Sequence, residues 1–272
     1  MELLFRRQDS LYPRRQQGEM MQVQQFQNGQ KVQAAAAPVD LESVSYAREG
    51  TQVFDTLTLR LDQRRVGIVG RNGSGKSQLA RLIAGLAEPE KGSVKVGGVT
   101  VASDRKAAIS TVGILFQNPD HQIIFPTVGE ELTFGLSALG VSKRDARRQA
   151  EQMLARFGRQ QWFDRSVHGL SQGQRHLVCL MSVLMMAPRV IVLDEPFAGL
   201  DMATSIRLGR YLDGLDQGLI HISHDLPALD HYDRIVWLER GAVHMDGTPE
   251  QVLPEYQRQM REWGGCDDLA DL

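Results

Sequence analysis

Gly70–Ser77 reads GRNGSGKS. It stands between RRVGIV (Arg64–Val69), a short run of β-forming apolar residues, and QLARLIAGL (Gln78–Leu86), whose leucines and isoleucine recur at helical spacing. The order strand, glycine-rich loop, helix is the one in which backbone N–H groups can close around phosphates at a helix N-terminus. Gly70, Arg71, Asn72, Gly73, Ser74, Gly75, Lys76, Ser77 and Gln78 are therefore candidate nucleotide-binding residues. Lys76 supplies charge at the β/γ phosphates, and the Ser77 hydroxyl is a candidate Mg²⁺ ligand.

Outward from this loop, further continuous apolar runs begin at Val112 (VGILF), Val190 (VIVL), Leu219 (LIHI) and Ile235 (IVWL). Such runs suit parallel strands buried on both faces, and helical patterns separate them, so an α/β parallel sheet is expected. Upstream, LESVSY (Leu41–Tyr46) and VFDTLTLRL (Val53–Leu61) alternate as half-buried strands do, which predicts an antiparallel β layer at the start of the domain. Between Glu130 and Gly169 no strand is expected. There SKRDARRQAEQMLARFG spaces Ala146, Ala150, Met153, Leu154 and Phe157 as a helix with Ser142 as N-cap, so a helical subdomain is inserted at about 130–180.

VIVLDEP ends in Asp194 and Glu195, where a buried parallel strand would deliver carboxylates to the ligand edge of the sheet. Asp194 is a candidate for holding Mg²⁺, and Glu195 for polarising an attacking water as general base. LSQGQ (Leu170–Gln174) precedes a second apolar helix and resembles the signature motif of ABC ATPases, which makes Ser171, Gln172, Gly173 and Gln174 candidates for contacting a nucleotide held by another subunit. Gln172 stands where the family usually has glycine, a departure that bears on how closely that contact can form. The other landmarks of the family follow in order, and the resemblance runs from about Asp40 to Leu253. It implies a P-loop NTPase with a RecA-like parallel core, an antiparallel β subdomain and a helical subdomain. It also implies that Gln117 reaches Mg²⁺ and the lytic water, that Asp201 of AGLD links two active sites, and that His224 of ISHD contacts the γ-phosphate. Tyr46 stands at the spacing of the family's adenine-stacking aromatic, though a tyrosine on a strand reads equally well as packing.

FQNPDHQIIFPTVGEELTFG (Phe116–Gly135) is similar to the corresponding segment of energy-coupling-factor importers. From the residues alone, Ile123, Ile124 and Phe125 fit either a docking pad or a core under the helical subdomain. The resemblance implies docking, with Asp120, Gln122, Ile123, Ile124, Phe125 and Pro126 meeting a membrane partner.

Composition sets outer limits. Hydrophobic residues make up 42% and charged residues 24% of the 272, and the net charge of −2 argues against nucleic acid as a partner. The longest nearly apolar run, Leu177–Ala187, has 11 residues, against about 20 for a membrane-spanning helix. Cys179 and Cys266 give no disulfide framework, and Cys179 reads as core packing in a reducing compartment. The other histidines, His121, His168, His176, His221, His231 and His244, form no metal-ligand pattern.

The expected divisions are residues 1–38, a glutamine-rich segment read as a disordered extension or a stretch upstream of a start at Met20 or Met21; 39–253, the ATPase domain; and 254–272, a short tail. The functional expectation is a MgATP-dependent dimer, a homodimer by preference, at the cytoplasmic face of a bacterial membrane. Its partners would be a transmembrane coupling subunit and a substrate-binding membrane subunit. The short region after His224 favours a dedicated biotin system over a shared one. A cobalt or nickel importer is the main competitor, and a soluble ABC ATPase of DNA repair or translation the rival from another class.

Overall fold

The computed structural model describes residues 37–264, so the expectation for the first 38 residues lies, apart from Ala37 and Pro38, outside the described residues. β1 (Val39–Arg48) and β2 (Thr51–Leu61) pair antiparallel through a two-residue turn. Its residues Glu49 and Gly50 both have positive φ (51° and 79°), the geometry whose twist matches flanking strands. β3 (Arg65–Val69) leads through the glycine-rich loop into α1 (Lys76–Ile83). β4 (Lys91–Val96) and β5 (Val99–Thr100) return to the first sheet, whose order is β2-β1-β4-β5.

After α2 (Arg105–Thr111) and β6 (Val112–Leu115) comes the helical layer: α3 (Val128–Ala138), α4 (Lys143–Arg156) and α5 (Gln172–Met185). Ser142 caps α4 by accepting from the Asp145 N–H at 3.2 Å. The chain then alternates β7 (Val190–Asp194), α6 (Met202–Asp213), β8 (Gly218–Ile222), β9 (Arg234–Glu239), β10 (Ala242–Gly247) and α7 (Pro249–Gly264). The second sheet has the order β10-β9-β3-β8-β7-β6, parallel except where β10 pairs with β9. β3, β7 and β8 are buried at every residue, as strands covered on both faces must be.

Three apolar clusters hold the layers together. The first joins the antiparallel sheet to α1 and the parallel sheet through Leu41, Phe54, Leu61, Ile68 and Leu79. The second fixes the helical layer to the other face through Leu115, Leu132, Leu154 and Leu180. Each such wholly buried leucine contributes about 1.5–3 kcal/mol, enough for a few of them to anchor a helix. The third seats α7 on β9 through Trp237, Val252 and Tyr256. Because α7 runs unbroken across residue 253 and buries Tyr256, the chain has no boundary there; Val252, Leu253 and Tyr256 form one apolar stripe of that helix.

Candidate functional site

In a parallel sheet the carboxyl ends of the strands share one edge, and the connections leaving that edge build a crevice. A pocket of about 530 Å³ lies there. Its lining includes Asn72, Gly73, Gly75, Lys76, Ser77 and Gln78 from the loop after β3. Gln117 follows β6, Asp194 ends β7 with Glu195 next to it, and His224 follows β8. Four separate connections thus converge on one cavity.

The loop has its shape because only glycine fits it. A Cβ on Gly70 would lie 2.1 Å from the Leu238 carbonyl oxygen, and one on Gly75 (φ 103°) would lie 2.8 Å from the Phe54 ring. Gly73 (φ 77°) has open space on its Cα face. Lys76 Nζ donates to the carbonyls of Gly70 (2.6 Å) and Arg71 (2.8 Å). Burial pushes the Lys76 ammonium pKa down, against the attraction of Glu195 and Asp194. α1 starts at Gly75 with no side-chain cap and no acid in its first turn, so its leading N–H groups are free to meet an anion. Ser74 Oγ and Gln78 Oε1 are buried without a hydrogen-bond partner, which suits a cradle that a ligand completes.

On the opposite wall, burial raises both carboxyl pKa values, with the Ser77 hydroxyl bonding to Asp194 and opposing its rise. Glu195 sits at φ 50°, in the left-handed region that costs a non-glycine residue energy and is found at functional positions. Glu195 Oε2 accepts from the His224 N–H at 3.3 Å, while Oε1, with His224 Nε2 at 3.3 Å but not aligned as a donor, is left without a hydrogen bond. Burial, then the nearby Lys76 charge, lowers the His224 pKa and keeps its ring neutral near pH 7. A carboxylate oxygen held bare beside a phosphate cradle can take a proton from a water. Ser77, Asp194 and Gln117 offer the hard oxygen ligands that Mg²⁺ prefers, and all three line the same pocket.

The family model for the ABC transporter matches residues 54–198. This chain belongs to the ABC transporter ATP-binding family. It is an ATPase and the ATP-binding subunit of an ABC transporter. It is 53% identical over 218 residues to the biotin transport ATP-binding protein BioM of Rhodobacter capsulatus, covering 80% of this chain and 93% of that one. The protein of the same name from Rhizobium etli is 36% identical, covering 80% of this chain and 97% of the relative. Among solved structures, cbiO1 of Clostridium perfringens, part of the ABC transporter complex cbiONQ, superposes with a TM-score of 0.68 at 27% identity, covering 82% and 93% of the two chains.

The signature segment of this ABC ATPase lies apart from the pocket. Ser171 Oγ accepts from the Gln174 N–H and Gln174 Oε1 from the Ser171 N–H, a closed capping box at the start of α5. None of Ser171, Gln172, Gly173 and Gln174 lines the pocket, nor does Asp201, which caps α6 by accepting from Thr204 N at 2.8 Å. The signature segment instead meets Gly199 and Leu200, the residues just before Asp201. The Gln172 carboxamide covers Gly199 (φ 72°), where a Cβ would lie 2.6 Å from Gln172 Nε2, and a Cβ on Gly173 would lie 3.2 Å from Leu200 Cδ2.

Tyr46 also lies outside the pocket. It is half-buried, pairs in register with Phe54 and packs on the first core cluster. Arg48, Glu49, Thr51 and Val53 line the pocket instead. The sequence reading missed them, although the Glu49-Gly50 pair between two alternating runs is a hairpin signal.

The segment after Gln117 is tied to the helical layer. Asp120 pairs with Arg175 at 3.0 Å, Gln122 donates to the Cys179 carbonyl at 3.5 Å, and Ile123 packs on the second cluster. Cys179 is core, its thiol pKa pushed up to about 12 by burial. The buried Glu131 carboxylate accepts from the backbone N–H groups of both Ile124 (2.9 Å) and Phe125 (3.0 Å). That arrangement turns Ile124 outward to 71% exposure, while Phe125 is half-buried against Phe134 with ring centroids 5.0 Å apart, and Pro126 is exposed.

Proposed function

We propose that this chain is the ATP-hydrolysing subunit of an energy-coupling-factor importer. Two copies close on two MgATP to drive uptake of a micronutrient, biotin by preference, through membrane partners. In each site the loop amides and Lys76 bind the β/γ phosphates. Ser77, Asp194 and Gln117 would hold Mg²⁺, which offsets phosphate charge when bound. Glu195 Oε1 accepts a proton from water as the water oxygen bonds to the γ-phosphorus. The bond to the bridging oxygen breaks and ADP departs with its electron pair. Ser171 and Gly173 of the second copy complete the site from outside, with Asp201 linking the two sites. The neutral His224 stands beside Glu195 at the γ-phosphate end.

The observation that carries the transport reading is an apolar groove of about 480 Å³ between the parallel sheet and the helical layer. Leu86 (51% exposed), Ile109 (37%), Ile124 (71%) and Phe134 (48%) all line it. Four large side chains held in water around one groove are a surface suited to a partner's amphipathic helix. Among the described residues no helix is long and apolar enough to cross a membrane, so the partners would supply the passage. The biotin preference rests on the relatives' names, and the chain's place at the cytoplasmic membrane face on the transporter partnership.

Recovering the chain from membranes and identifying its companions and bound small molecule tests this reading. Membrane subunits carrying biotin are expected. Ile124→Asp with Phe134→Asp should reduce recovery of the membrane subunits at least about tenfold while nucleotide binding by the free chain persists. Undiminished recovery would remove the groove from the account, and a bound metal cation would overturn the cargo alone.

A further inference from the structure

Helix α7 meets the phosphate loop at residues that do not line the nucleotide pocket. Arg71, the second residue of GRNGSGKS, does not line the pocket. Its Nε and Nη2 donate to Glu239 Oε1 at 3.0 and 2.9 Å, and its guanidinium carbon lies 4.2 Å from the centroid of the Trp263 ring. Burial raises the Tyr256 hydroxyl pKa, and the nearby Gly70 backbone opposes that rise. Tyr256 and Trp263 both stand edge-on to Trp237, at 5.1 and 6.3 Å between centroids, and Trp237 is wholly buried in β9. The two aromatic contacts of α7 are therefore seated on the sheet itself.

The residues gripped are those that matter for the ammonium. Lys76 Nζ is held by the carbonyls of Gly70 and Arg71 and by no other hydrogen bond among the described residues. A loop with three positive-φ glycines, Gly70, Gly73 and Gly75, loses much conformational freedom when it closes on phosphate. Contacts that already hold it in one shape reduce that loss and so raise affinity.

We propose that α7 is a brace for the nucleotide site: Tyr256 and Trp263 are positioning residues that hold Gly70 and Arg71, and through their carbonyls the Lys76 ammonium, in the phosphate-binding shape. The proposal rests on the reading of Gly70–Ser77 as the ATP site and goes beyond it, because it assigns control of ATP affinity to a helix that touches no substrate.

The test uses the full chain in its transporter complex. For Trp263→Ala and Tyr256→Phe, KM for MgATP should rise about two- to fivefold with kcat within about twofold, the range one stacked cation or one hydrogen bond commands. Trp263→Phe keeps a ring over Arg71 and should restore most of the loss, while Arg71→Lys, which keeps charge but not the planar stack, should behave as Trp263→Ala. Subtracting the emission of Trp263→Phe from that of the unaltered chain isolates Trp263, and this difference should change as MgADP fills the site. An unchanged KM in both α7 variants, even with a lowered melting temperature, makes the helix a packing element only and overturns the brace. So does a flat emission difference at saturating MgADP, a measurement that stands even if Trp263→Ala fails to fold. Lys76→Ala separates the two readings: if it abolishes nucleotide binding while the α7 variants are silent, the brace alone is wrong.

Discussion

Two helix N-termini in this chain have been finished in opposite ways. α1 begins at Gly75 without a side-chain cap, inside a pocket, beneath glycines that admit no Cβ. α5 begins at Ser171, exposed, with its capping box closed by Gln174. The first end leaves its N–H groups for a ligand of its own chain, whereas the second uses two of them internally and carries the exposed Ser171 hydroxyl outward. One chain therefore holds an uncapped helix start inside a pocket and a closed, exposed cap outside it. That asymmetry is what a pairwise, reciprocal arrangement of two copies would use.

The largest expected effect falls on the cradle side. Glu195→Gln should lower ATP turnover by about 10²–10⁴-fold while MgATP binding persists, as removal of a general base does. Turnover within tenfold of normal would take that role from Glu195. The same variant has a pH signature. Burial holds the Glu195 pKa above its ordinary value, so below that ordinary value both folded and unfolded chains are protonated and no penalty exists. As pH rises through the ordinary value to the raised one, the folded chain pays for a buried charge. The ligand-free variant should therefore melt higher than the unaltered chain at about pH 8 and equally at about pH 4.

Ser171→Ala sharpens the comparison from the other side. Losing the cap should cost about 1 kcal/mol, or roughly 2–4 °C in melting temperature at this size. ATP affinity of the isolated chain should stay the same, because Ser171 does not line its own pocket, while turnover of the assembled complex drops. A matching loss of affinity in the isolated chain would break the division into two halves. The smallest effect concerns Gln172. Gly199→Ala brings a Cβ within 2.6 Å of the Gln172 carboxamide and strains a positive φ, and adding Gln172→Gly should recover about 0.5–1 kcal/mol of the stability lost. Simple additivity in the double variant would mean that the carboxamide moves aside at no cost.

The parallel strands were legible because burial on both faces leaves a continuous apolar run, as in Val190–Leu193, and the phosphate loop because its glycines answer to backbone geometry. Other features follow from pairing and are weaker in sequence. β4 and β10, at six residues each, are no shorter than the parallel strands, but lysine and glycine interrupt β4, and only Val243 and Met245 mark the half-buried face of β10 with large apolar side chains. Tyr46 was read by its distance from the loop; in the fold it packs on the first core cluster, while Arg48 and Val53 of the same hairpin line the pocket. The sequence reading ended the domain at residue 253, inside the stripe that Val252, Leu253 and Tyr256 form on α7, and the use of that helix against Arg71 depends on a fold that brings Glu239 beside residue 71. Three consecutive apolar residues read alike as core or as surface; the fold separates them, with Ile124 in water and Ile123 and Phe125 half-buried.

The hydrogen bonds of Ile124 and Phe125 to Glu131 determine which body the loop travels with. Glu131 belongs to the first turn of α3, so the backbone of Ile124 and Phe125 is fastened to that helix, while the other end of the segment leaves the sheet at Leu115. If the helical layer rotates against the sheet, Ile124 moves with the helices as a rigid passenger. Asp120 is likewise tied to the helical layer through Arg175, so the twist must be taken up between Leu115 and Asp120, the stretch that contains Gln117.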